Sequence, residues 1–174
     1  PFGDNGTKMA WNTFNVVSLY PNGNPTLSDV NQRWVGDCCA CAVFASMAYL
    51  YPRFIKHIIK DNKDKTYTVT MYDPTGKQIP VGVSGDYFIG NSGDLGALGG
   101  RNKEVTWATI LEKAMMKWRQ VYLGSSNVGG IGTEYVSAIF TGDGESVGFG
   151  AGALIAEDLQ RAVEVSLKQR RLVI

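Results

Sequence analysis

The spacing of apolar residues changes several times along the chain, and each change predicts an element. From Cys38 onward Val43, Met47 and Leu50 line one helical face, and Pro52 breaks the run. Asp37 stands just ahead of it, placed to cap the first turn. A second short helix is expected from Pro52, which its first turn tolerates, through Ile59. Residues 1–37 carry many Asn, Gly and Pro around one apolar interlude, Phe14 to Leu19, and read as loop and turn with room for a short strand or helical turn. Tyr67, Val69 and Met71 alternate with threonines, Asp73-Pro74-Thr75-Gly76 supplies a turn, and alternation resumes from Ile79 to Val83. This is the pattern of a β-hairpin.

Residues 89–104 read as a glycine-rich loop. No GxxxxGK follows a strand there, so the glycines make no phosphate cradle. From Val105 to Tyr122 the residues Trp107, Ile110, Leu111, Ala114, Met115 and Trp118 form a broad apolar helical stripe. A shorter helical piece follows around Glu134–Phe140. Past the glycine-bearing stretch TGDGESVGFGAG, Ile155, Leu159, Ala162, Val163 and Leu167 predict a helix to about Lys168. Leu172-Val173-Ile174 reads as the first residues of a strand, which would need a neighbour to pair with.

Composition narrows the partners. At 174 residues, 44% hydrophobic and 19% charged, the chain is long enough to bury a core. A net charge of +1 with interspersed signs gives no reason to expect a nucleic acid or an anionic membrane as partner. The longest apolar run, Cys38 to Leu50, is too short to span a bilayer, so no membrane span is expected. The first residues show no basic start followed by an apolar block, hence no signal peptide, while a first residue of Pro1 hints at processing. Cytoplasmic and secreted locations both stay open, with a lean toward a secreted or processed chain.

All three cysteines fall within QRWVGDCCAC, at Cys38, Cys39 and Cys41. No thiol exists elsewhere to bridge to, and neighbouring cysteines bridge each other only with strain, which argues against a disulfide framework. Structural zinc is disfavoured, because thiols on one helix point in different directions and no second ligand group follows. Cys38 and Cys41 have the spacing of a Cys-x-x-Cys redox pair, without a thioredoxin-like βαβ frame around them. All three as small buried hydrophobes is the plainest reading of the spacing. Position separates Cys38 from the others. It begins a helix, where unpaired N–H groups and the helix dipole favour a thiolate and could hold an oxyanion. Gln32 offers a side-chain amide to complete that hole, and Cys39 and Cys41 are assigned to packing.

The stretch DVNQRWVGDCCACAVFASMA resembles the catalytic-cysteine segment of the calpain family of papain-like cysteine proteases, with a Gln, five intervening residues including Gly-Asp, and then the nucleophile on a helix. TWATILEKAMMKWRQVYLG followed by GGIGTEYVSAIFTG is similar to a second calpain block, so the resemblance covers roughly residues 28–142. It implies an α+β papain-like fold: a helical subdomain over 1–142, and over 143–174 the start of a β-rich subdomain. It implies Cys38 as nucleophile, Gln32 as oxyanion-hole amide, and a regulatory calcium ion held by Asp29 and Glu112. Carboxylate oxygens suit that ion, though Asp29 could equally cap a turn and Glu112 join a salt bridge. The sequence departs from the family at Cys39, where a tryptophan normally follows the nucleophile.

A cysteine protease also needs an imidazole to protonate the leaving amine, oriented by a third group. His57 is the only histidine, on the next predicted helix, with nothing to present it to Cys38. The expected function is therefore a cysteine endopeptidase acting on peptides or proteins, with His and Asn supplied by a second polypeptide or a missing C-terminal part. The rivals are a catalytically inactive calpain-like regulatory or peptide-binding module, and another acyl transfer such as transamidation.

Overall fold

The computed structural model describes residues 9–90, 92–144 and 156–169. In chain order the described elements are β1 (Met9–Thr13), a 3-10 turn (Leu27–Asp29), α1 (Cys38–Leu50), α2 (Pro52–Ile58), β2 (Ile59–Asp61), β3 (Tyr67–Tyr72), β4 (Gln78–Val83), β5 (Asp86–Gly90), α3 (Trp107–Leu123), α4 (Thr133–Thr141) and α5 (Ala156–Lys168). Among the described residues this is a mixed α+β architecture with two small antiparallel sheets and five α-helices.

The larger sheet has the order β2-β3-β4, and Val69 pairs with Val81 across the hairpin. On β3 the residues Tyr67, Val69 and Met71 are buried and the intervening threonines half-buried, as their alternation requires. The hairpin read from the sequence is thus present, with β2 added against it (Ile59 opposite Val69). Within residues 1–37, read as loop and turn with room for a short strand, Met9–Thr13 is a strand that pairs with β5 in a two-stranded ribbon. Trp11 stacks on Phe88 there with ring centroids 3.7 Å apart, a cross-strand aromatic pair.

α1 and α3 supply the centre of the core. Ala40, Val43, Phe44 and Met47 face inward from α1, and Trp107, Ile110, Leu111, Ala114 and Met115 from α3. Phe44 meets Trp107 edge-on at 6.3 Å and Phe140 of α4 at 5.5 Å, tying three helices to one ring. Each such fully buried large side chain contributes about 1.5–3 kcal/mol over its exposed state. α4 ends at Gly142, in the left-handed region at φ 76°, where an added Cβ would also strike the Tyr72 ring at 2.8 Å. α5 begins one residue after Ile155, which lies outside the described residues, as does the strand expected at Leu172-Val173-Ile174. α5 buries none of its residues, and Leu159, Val165 and Leu167 are exposed on it.

Candidate functional site

The site is assembled from three loops and the start of α1. Residues 31–34 are stitched to residues 96–100: Asn31 and Gly99 exchange backbone hydrogen bonds at 2.9 and 3.2 Å, the Trp34 N–H donates to Gly96 O at 3.1 Å, and Arg33 donates to Gly100 O at 2.7 Å. Gly99 has to be glycine, since a Cβ would lie 2.6 Å from Leu95 and 2.7 Å from the Glu104 carbonyl. On the other side the Gly130 N–H donates to the Gly36 carbonyl. From 32 to 38 exposure alternates: Gln32, Trp34, Gly36 and Cys38 are open to solvent, while Val35 and Asp37 are buried. Sequence reasoning did not single out Trp34, whose ring is exposed here.

Cys38 is the first residue of α1 and is exposed, whereas Cys39 and Cys41 are half-buried. Cys41 packs against the core, and its thiol donates to Asp37 Oδ1 at 3.8 Å. Burial, then the charge of Asp37, pushes the Cys41 thiol far up from its ordinary value. Burial and the neighbouring Cys38 raise Cys39 as well, with Glu134 and Asp37 adding to the effect. The three thiols therefore divide by exposure into one open group and two half-buried ones.

Gln32 donates its amide Nε2–H to the Val35 carbonyl at 2.9 Å, which closes the loop ahead of α1. An amide nitrogen carries two hydrogens, so this bond leaves one donor uncommitted.

Asp37 occupies the N-cap position expected of it but makes no side-chain cap bond. Its carboxyl turns inward instead, toward Cys41 and toward Glu112 on α3. Asp37 is 1% exposed and Glu112 0%. Glu112 Oε2 accepts the Leu98 N–H at 3.0 Å. Neither Asp37 Oδ2 nor Glu112 Oε1 meets a donor from another residue. A proton shared between the two carboxyls is the low-cost arrangement for such a pair out of water. Burial raises both groups, Glu112 well above its ordinary value, and the charge of Asp37 raises Glu112 further.

No family model matches this chain, and no curated protein matches it either. The likeness to calpains is carried by its motifs alone.

The calcium ion implied by that likeness does not fit these residues as arranged. Asp29 Oδ2 already accepts the Trp107 indole N–H at 2.8 Å and the Thr26 N–H at 2.7 Å, and its backbone carbonyl accepts the Thr106 hydroxyl. N–H groups aimed at a carboxylate place positive hydrogens where a cation would sit. Glu112 faces Leu98 N–H and Asp37. The two residues thus serve separate hydrogen-bond sets, and among the described residues no three His, Cys, Asp or Glu side chains gather as a metal site.

His57 is exposed in the last turn of α2. α1 is 13 residues long, and α2 starts beyond its far end at an angle of 112°. Helical rise then separates the imidazole from Cys38 by roughly 15 Å or more. It cannot exchange a proton with that sulfur directly.

Proposed function

We propose that this chain supplies the nucleophile and oxyanion-binding half of a papain-like, calpain-type cysteine endopeptidase, with the imidazole and its orienting amide coming from a second polypeptide segment. The observation that carries the reading is the exposure of Cys38 as the first residue of α1, while the two thiols beside it are half-buried. The Cys38 sulfur attacks the scissile carbonyl carbon. The oxyanion that develops faces the Cys38 N–H, unpaired within the first helical turn, and the second amide hydrogen of Gln32. The C–N bond breaks as the amine takes a proton, and water then releases the acyl group from sulfur. An extended substrate would run along the exposed positions Gln32, Trp34 and Gly36.

Leaving groups separate what this chain does from what it lacks. A nitrophenolate departs without a proton, whereas an amine does not. The chain alone is expected to release one equivalent of nitrophenol from a peptidyl p-nitrophenyl ester, with the acyl group found on Cys38, and to leave the matching peptide amide uncut. Amide hydrolysis by the lone chain would overturn the missing-base reading. An acyl group on Cys39 or Cys41 would overturn the choice of nucleophile. No acylation at all would favour a catalytically inactive calpain-like binding module.

A further inference from the structure

We propose that Cys38 and Cys41 form a reversible dithiol–disulfide couple, closed by a hydroperoxide and reopened by a thiol reductant, that covers the exposed sulfur. This goes beyond the peptidase reading and does not need it.

Four observations converge. The two cysteines are three residues apart in the first turn of α1, and the turn is formed, with the Cys41 N–H donating to the Asp37 carbonyl at 3.1 Å. Residues so spaced lie on one face, with Cβ atoms about 5–6 Å apart. Cys38 is exposed and Cys41 half-buried, which is the division of labour between an attacking and a resolving thiol. Lastly, the Cys41 sulfur lies 3.8 Å from a carboxylate oxygen of Asp37, the residue adjoining Cys38. Its side chain thus points toward the N-terminal end of the helix, as helical side chains do, and a turn about χ1 is what would bring it onto Cys38.

Cys39 is the nearer thiol in sequence and the worse partner in space. Consecutive helical side chains diverge by about 100° around the axis and do not face each other. A bridge from Cys38 to Cys41 needs the Cβ separation to fall to about 3.5–4.5 Å, which a tightening of the first turn toward 3-10 geometry supplies. The strain left in such a bridge makes it easy to reduce, as suits a reversible cover.

The chemistry balances in two steps. The Cys38 thiolate attacks a hydroperoxide oxygen; the O–O bond breaks, an alkoxide or hydroxide leaves, and Cys38 becomes a sulfenic acid. The Cys41 sulfur then attacks the Cys38 sulfur. The S–S bond forms, the S–O bond breaks, and the hydroxyl departs with the Cys41 proton as water. Two thiols have lost two electrons and one peroxide has gained them. Without Cys41 the sulfenic acid persists and proceeds to the irreversible sulfinic acid.

The test treats the whole chain with hydrogen peroxide and follows intact mass and free thiols. The parent and Cys39→Ser are expected to lose two hydrogens and two thiols, gain no oxygen, and recover with dithiothreitol. Cys41→Ser and Cys41→Ala are expected to give a sulfenic acid that dimedone traps, and sulfinic acid on the order of ten times faster than the parent. Circular dichroism of both Cys41 variants before oxidation establishes that they are folded. The proposal is overturned if the parent reaches sulfinic acid as fast as the Cys41 variants. It is also overturned if Cys39→Ser abolishes the bridge, or if only covalent dimers form.

Discussion

Asp29→Ala should be the most damaging single substitution near the site, lowering unfolding free energy by about 3–5 kcal/mol. The carboxylate is 1% exposed, and its Oδ2 alone receives the Trp107 indole and the Thr26 backbone N–H. Truncation leaves a fully buried indole N–H with no acceptor, at the point where the 3-10 turn docks on the start of α3. Asp29→Asn keeps an acceptor oxygen at that point and should cost only about 1–2 kcal/mol. Urea unfolding followed by tryptophan fluorescence measures both. The same measurement in calcium and in a chelator should give one midpoint for the parent, because two N–H donors occupy Oδ2 of the carboxylate. A loss below about 1 kcal/mol for the alanine variant would remove Asp29 from this structural role. A calcium-dependent midpoint that Asp29→Asn abolishes would restore it as a metal ligand.

Glu112→Gln should change the pH dependence of stability more than its size at acid pH. Glu112 and Asp37 bind protons more tightly folded than unfolded, burial being the main cause for each. A carboxyl raised in this way contributes stability that is fully present below its unfolded value, near pH 4, and that is lost as pH rises through the folded value. The parent should therefore lose stability from the unfolded carboxyl range upward, with a slope of up to about 1.4 kcal/mol per pH unit for each proton in transit. Glutamine can accept the Leu98 N–H and donate permanently to Asp37, so much of that slope should disappear. The variant should match or exceed the parent at neutral pH and above. Glu112→Leu orphans the Leu98 N–H and should cost about 1–3 kcal/mol at every pH. Equal slopes for parent and glutamine variant would show that no proton is shared.

Much of the helical framework was readable because it depends on local spacing. The stripe from Trp107 to Trp118 and the run from Cys38 to Leu50 each carry their own period, and helices occupy both. The hairpin was legible through Tyr67, Val69, Met71 and the turn at Asp73–Gly76. β1 was not, because Met9–Thr13 has no strong alternation and is held by pairing with β5, more than seventy residues away. The same limit applied at the site. Asp37 looked like a cap because its neighbours in sequence are a glycine and a helix. Its real partner, Glu112, comes from another helix, and only folding brings the two carboxyls together. Asp29 and Glu112 were paired by resemblance, whereas Trp107 and Thr26 claim the first and Leu98 and Asp37 the second. Gln32 spends one of its two amide donors on the Val35 carbonyl, a local bond that its sequence position did not announce.

Of the three thiols, Cys38 alone is fully open to solvent, and limited alkylation reads that difference out. With iodoacetamide below one equivalent at neutral pH, followed by fragmentation of the peptide spanning Trp34 to Arg53, the label should fall on Cys38 on the order of ten times more often than on Cys39 or Cys41. Cys41, half-buried in the fold, should take up iodoacetamide faster once the chain is unfolded. Label shared evenly among the three, or concentrated on Cys41, would contradict the account.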